Sequence, residues 1–181
     1  MKGFTLIELL IVIAILAILT TAVVLVLNPA QILAEARDSQ RMADLDTVMS
    51  AINLYLATAS TTTLGETAYS TNSATCGLSS GCTVRAVYTV AGAGWVGVDL
   101  TGASGGSPLA ALPRDPLNSA TYQYAYDGNN TAKTFELNGR LESLKFRVKM
   151  VNDGGEDSTS CVTYTEETCY YEIGTAPGLT L

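Results

Sequence analysis

The sequence predicts an α+β protein: a long N-terminal hydrophobic α-helix whose C-terminal half packs on an antiparallel β-sheet head domain. Three observations carry this. Residues 4–27 are apolar apart from one charge, Glu8, and a handful of threonines. The next 30 or so residues carry apolar side chains at helical spacing, and the remainder breaks into short strand-like runs separated by Gly, Ser, Thr and Asn. One helix followed by a series of strands is the pattern of a helix laid over one sheet face.

The apolar run reads FTLIELLIVIAILAILTTAVVLVL, and as a helix it would extend ~36 Å, enough for a hydrocarbon core of ~30 Å. It is too long for the apolar part of a secretory signal, and Val26, Leu27, Asn28 and Pro29 provide no small-residue cleavage site after it. Lys2 and the amino terminus favour a cytoplasmic N-terminal end, an asymmetry that Arg37 and Arg41 beyond the span dilute. Glu8 is the anomaly. A carboxylate in lipid costs roughly 2.5–3.5 kcal/mol on insertion scales and marks a partner or a function.

Beyond Asn28 and Pro29, the residues Leu45, Val48, Met49, Ile52, Tyr55 and Leu56 form an amphipathic stripe, with Arg37, Asp38, Arg41, Asp44 and Asp46 largely off it. Residues 4–57 therefore read as one rod of ~80 Å with a kink at Pro29, which lacks an amide donor and clashes with the preceding turn. Residues 58–82 have no period and read as a connecting loop. Strands are expected at 83–91, 94–100, 121–126 and, in one or two pieces, 134–150, where Leu144, Phe146, Val148 and Met150 alternate with Lys145, Arg147 and Lys149.

Composition excludes several functions. The 181 residues contain no His, which removes Ser-His-Asp and Cys-His catalysis and every His-containing metal site. The formal net charge of −7 argues against a polyanion binder, so no specific nucleic acid is expected and Lys145, Arg147 and Lys149 read as a solvated strand face. Gly102-Ala103-Ser104-Gly105-Gly106 matches a hydrolase nucleophile elbow in letters only, without a base or a strand-turn-helix context. No enzymatic activity is expected, and a membrane-tethered enzyme is the weakest of the readings.

Met1-Lys2-Gly3-Phe4-Thr5-Leu6-Ile7-Glu8-Leu9-Leu10 resembles the processing site of type IV prepilins and of the related pseudopilins of type II secretion. The resemblance implies a type IV pilin spine and a three-residue leader, 1–3, cut after Gly3 by a prepilin peptidase that then N-methylates Phe4. It implies a polymerisation helix at 4–28, its amphipathic continuation at 29–57, the connecting loop at 58–82 and a globular head at 83–181 with a C-terminal disulfide loop. Glu8 corresponds to the family's acidic position, where it neutralises the new ammonium of Phe4 on a neighbouring subunit. Further implications are a structural role in a cell-surface filament built from copies of this chain by a pilus assembly machinery, and a pool of subunits in the cytoplasmic membrane beforehand. A looser likeness, Ala111-Leu112-Pro113-Arg114-Asp115-Pro116-Leu117-Asn118, is to major pseudopilins, which keeps a type II secretion role as the alternative.

In pseudopilins a late acidic loop binds Ca²⁺. Here Asn152-Asp153-Gly154-Gly155-Glu156-Asp157 reads either as a solvated turn or as such a site with Asp153 and Asp157 as ligands, its spacing being unlike an EF-hand. No other cofactor is expected. With the head outside the cytoplasm, Cys76, Cys82, Cys161 and Cys169 are expected as disulfides. Of three connectivities, Cys76–Cys82 and Cys161–Cys169 close the shortest loops, the second resembling the C-terminal disulfide loop of many type IV pilins.

Overall fold

The computed structural model describes residues 3–78, 81–154, 159–163 and 169–175. Two helices come first. Helix α1 is Leu6–Leu27 and helix α2 is Pro29–Thr58, separated by Asn28 in the left-handed region at φ 40°. The expected single rod is thus divided, and the division falls at Asn28, one residue before the expected kink. A proline disfavours the helical region for the residue before it, and Asn is among the few residues that tolerate the left-handed region. Pro29 itself sits comfortably in the first turn of α2, where its missing amide would have had no intrahelical partner.

Among the described residues five strands form one mixed sheet: β1 (Tyr69–Ser70), β2 (Thr83–Val84), β3 (Tyr124–Asn129), β4 (Thr134–Gly139) and β5 (Tyr171–Gly174), in the order β2-β1-β3-β4-β5. The β1–β2 pair is parallel, the other three antiparallel, so the sheet is not wholly antiparallel as expected. Strands β3 and β4 form the central hairpin, turned by Asn129, whose Oδ1 accepts from the amides of Thr131 at 2.9 Å and Ala132 at 2.8 Å.

Helix α2 lays Leu45, Val48, Ala51, Ile52 and Tyr55 on this sheet, against Tyr124, Tyr126, Phe135 and Leu137. Trp95 lies fully buried in the same cluster and donates from Nε1 to the carbonyl of Pro113 at 3.0 Å. The hydroxyl of Tyr124 donates to Asp44 at 2.8 Å, which ties the sheet to the helix flank.

Three strand expectations are corrected. Of 83–91 only Thr83–Val84 pairs in the sheet, and Val84 and Val87 face solvent. Residues 94–100 form no strand beyond an isolated bridge between Ala91 and Asp99; Trp95, Val96, Val98 and Leu100 are all buried, a loop pushed into the core and not an alternating surface. Gly94 permits this, since a Cβ there would lie 2.2 Å from the carbonyl oxygen of Thr89.

The alternating run at 144–150 is not a strand either, but turns leading into a 3-10 helix at Arg147–Val151. The cause lies upstream. Asp38 on α2 accepts from the amides of Glu142 and Ser143 at 3.0 and 2.7 Å, which takes those donors from any ladder. Ser143 then starts a helical turn, its Oγ accepting from the amide of Phe146 at 3.2 Å and its carbonyl from that of Arg147 at 3.1 Å. Strand β1 lies inside the expected connecting loop, and β5 had no counterpart among the expected strands.

Candidate functional site

The candidate site begins at Gly3 and runs along α1. Gly3 and Phe4 are exposed, and a Cβ added at Gly3 would meet nothing within 4 Å. Among the described residues no contact therefore requires a glycine at this position, and the bond that follows it is exposed.

Thr5, in extended conformation, caps α1. Its Oγ1 accepts from the amide of Glu8 at 3.3 Å, while Glu8 Oε2 accepts from the Thr5 amide at 2.9 Å and its hydroxyl at 2.6 Å. This capping box satisfies two orphan donors of the first turn, and the carboxylate favours the positive end of the helix dipole. Glu8 is held on the same end of the helix as Phe4, three residues from its cap.

Among the described residues, α1 from Leu6 to Val24 has no apolar cover of its own. Leu6 is 82% exposed and Ile18 71%, and large apolar side chains are exposed around the whole helix, with Leu6–Val24 long and apolar enough to cross a membrane. A helix that is apolar all round demands an apolar surrounding on every side, either lipid or a bundle of like helices. Thr20 and Thr21 fit that demand, because their hydroxyls donate back to the carbonyls of Leu16 at 2.7 Å and Ala17 at 2.9 Å.

A second cluster joins α2 to the head. Arg41 is fully buried: its Nε and Nη2 grip both carboxylate oxygens of Asp115 at 2.6 and 3.2 Å, and its Nη1 donates to Asp38 and Glu142, each at 2.8 Å. Arg37 adds a bidentate pair to Glu142 at 2.5 and 3.0 Å. Burial raises the Glu142 carboxyl, but the hydrogen bonds and charges of Arg37 and Arg41 outweigh that and hold it below the ordinary carboxylate range. Asp115 in turn accepts from the amides of Leu117 and Asn118 at 2.8 and 3.0 Å, which shapes the 111–118 loop.

Sequence reading had placed Asp38 and Arg41 off the apolar stripe; both are fully buried. The signal is present in the spacing, because 38, 41, 45, 48, 52 and 55 repeat at alternating steps of three and four.

The other expected positions are as follows. Cys76 is bonded to Cys82 and Cys161 to Cys169. Asp153 Oδ2 accepts from the amide of Glu172 at 2.9 Å, and Asp157 lies outside the described residues. Among the described residues no group of three or more Cys, Asp or Glu is arranged to hold a metal ion.

No curated protein and no solved structure matches the chain significantly. The family described as the prokaryotic N-terminal methylation motif matches residues 1–24, the stretch that holds the exposed Gly3–Phe4 bond, the Thr5–Glu8 cap and most of α1. That motif implies cleavage by a prepilin peptidase and assembly into pilus-like filaments. Residues 1–24 thus carry the prepilin-type signal found on type IV pilin-like and pseudopilin precursors.

Proposed function

We propose that this chain is the structural subunit of a type IV pilus, assembled through α1 into a cell-surface filament after cleavage between Gly3 and Phe4. The observation that carries this reading is α1 itself, an all-round apolar helix left exposed by the rest of the chain and headed by a carboxylate. Lipid covers such a helix in the waiting subunit, and neighbouring copies cover it in the filament. Moving from lipid to a helix bundle yields little hydrophobic energy, so packing and polar contacts must direct association. Cleavage supplies the polar contact: a Phe4 ammonium, N-methylated, that meets Glu8 of the next subunit. A buried pair of this kind costs several kcal/mol when one partner is missing, which makes it a register device more than a source of stability. The role is assembly and not catalysis, and the force for extension comes from a separate assembly machinery.

Electron microscopy of surface filaments with mass spectrometry of their N-terminus tests this. Long fibres composed of this chain, beginning at methylated Phe4, are the expected result; a mature chain beginning at Met1 refutes it.

The alternative is a major pseudopilin of type II secretion. It is favoured by the Leu112-Pro113-Arg114-Asp115-Pro116 loop, which Arg41 fastens to α2, and it carries with it a Ca²⁺ at Asp153 and Asp157. A secretion defect on deletion, with no surface fibres in wild-type cells, would select this reading.

A further inference from the structure

The segment 144–149 is an oddity in an acidic protein. It presents two large apolar side chains to solvent, Leu144 at 65% and Val148 at 53%, interleaved with Lys145, Arg147 and Lys149. Phe146 lies beneath, with the two lysine ammonium groups 5.1 and 5.9 Å from its ring centre. The acids around this segment among the described residues are already engaged. Glu35 pairs with Lys145 at 3.1 Å, Glu142 is held by Arg37 and Arg41, and Asp153 accepts from the amide of Glu172. The Glu35 pair is exposed on both sides and worth little.

Its place in the fold gives the oddity a meaning. The amide of Leu144 donates to Gln31 Oε1 at 3.1 Å, and Gln31 is four residues beyond the end of α1, ~6 Å along a helix. The headgroup layer on each side of a bilayer is roughly 5–7 Å deep. When α1 spans the membrane, Leu144 and Lys145 therefore stand at headgroup depth. Ile32 and Leu33 are also exposed, so apolar surface continues through this level on α2.

We propose that segment 144–149 is a lipid-docking surface by which the head of the unassembled subunit rests on an anionic membrane, with Leu144 and Val148 in the interface and Lys145 and Lys149 on acidic headgroups. The inference rests on the membrane-embedded precursor of the preceding section and adds the occupant of this face. Charge complementarity selects that occupant. A chain of net charge −7 is repelled by an anionic surface except through a local basic face, and this is a stretch that α2 holds beside the end of the span. Apolar side chains flanked by Lys and Arg are the composition of interfacial anchors. Docking sets the acidic bulk of the head away from the bilayer, and extraction of α1 into a filament carries the segment off the lipid.

The full chain carrying Val148→Trp, reconstituted in vesicles of phosphatidylcholine alone or with one quarter phosphatidylglycerol, tests this with a headgroup-nitroxide lipid as quencher. Native Trp95 is fully buried and serves as the unquenched reference. The expected result is at least twofold stronger quenching of the new tryptophan with phosphatidylglycerol. Lys145→Glu with Lys149→Glu should return it to the phosphatidylcholine level, each lysine being worth about fivefold in the docked population. Leu144→Trp replaces Val148→Trp if the latter fails to retain the native near-UV spectrum. Equal quenching in both vesicles, or none in chains that float with them, overturns the docking surface while leaving the membrane reading intact. Chains that do not float overturn both. Charge reversal that abolishes filaments but leaves quenching unchanged also overturns it, and assigns the segment to contacts between subunits.

Discussion

Arg41→Met removes the centre of the clasp between α2 and the head while nearly preserving side-chain length and apolar stem. Four hydrogen bonds are lost: two to Asp115 at 2.6 and 3.2 Å, and one each to Asp38 and Glu142 at 2.8 Å. The carboxylates are not left bare. Asp115 keeps the amides of Leu117 and Asn118, Asp38 keeps those of Glu142 and Ser143, and Glu142 keeps Arg37. What disappears is the only described cation in contact with both Asp38 and Asp115, whose side chains are fully buried. Breaking a buried pair at one partner costs about 3–5 kcal/mol. For a head of this size that corresponds to a fall of roughly 10–20 °C in thermal midpoint. The full chain in detergent, followed through the fluorescence of Trp95, gives the readout. Arg41→Met combined with Asp115→Leu should recover part of the loss, because removing both partners eliminates one uncompensated charge. A midpoint lowered by less than about 3 °C in Arg41→Met would refute the view that this cluster fastens the head to the helix.

Glu8→Gln keeps the capping geometry but loses the charge that answers the Phe4 ammonium, so it should insert in the membrane normally and yield at least tenfold fewer filaments by sedimentation of sheared fibres; wild-type yield would discard the pairing. Cys161→Ser opens a loop of sequence separation 8 and should lower stability by about 2–3 kcal/mol, measured by chemical unfolding, with reductant lowering the wild type further because it opens Cys76–Cys82 as well. Glu142 has a folded-state carboxyl held low, so the unfolded chain binds more protons near pH 4 and the stability from its contacts, complete above the ordinary carboxylate range, is lost as pH falls through the folded value. Asp44 and Asp127, whose carboxyls burial pushes up, act in the opposite sense. The diagnostic is therefore a comparison: thermal midpoints taken from pH 6 to 3 should fall less steeply in Arg37→Gln than in wild type, and parallel curves would count against the assignment.

The N-terminal half was legible in the sequence because what reads it is linear. A motif of Gly3, Phe4 and Glu8 followed by a long apolar run is defined by residue order without needing the fold, so those residues carry their signal in sequence. The head was less legible because its strands are short and its ladder donors are taken by side chains. Ser143 and Asp38 turn the alternating run at 144–150 into helical turns, and Asp38 lies more than 100 positions away in the chain. Trp95 to Leu100 is apolar at nearly every position, which reads as a strand, yet Gly94 and Gly97 let it fold as a loop against Thr89 and the Tyr69 ring. Arg41 was misread for a different reason. Charge is weak evidence of exposure where an acidic partner comes from a distant loop, and Asp115 is 74 positions downstream.

The two charge clusters on the helices differ in one respect that accounts for the two halves of the chain. Around Arg41 every charge finds its answer within the same chain: the guanidinium meets three carboxylates, and those carboxylates meet backbone amides and Arg37. Such a cluster is complete in the monomer and has no need of a neighbour, which suits the proposed role of a head that folds before its subunit is assembled. Glu8 has only the local Thr5 cap, no cation of its own chain among the described residues, and sits on a helix with no apolar cover. A charge left unanswered on a surface left uncovered has the character of half an interface, and in the proposed filament another copy with a free ammonium at the same depth supplies both missing parts at once. On the proposed reading, folding and assembly are thereby separated along one chain at Asn28, so that the head can be stable without committing the spine to polymerise.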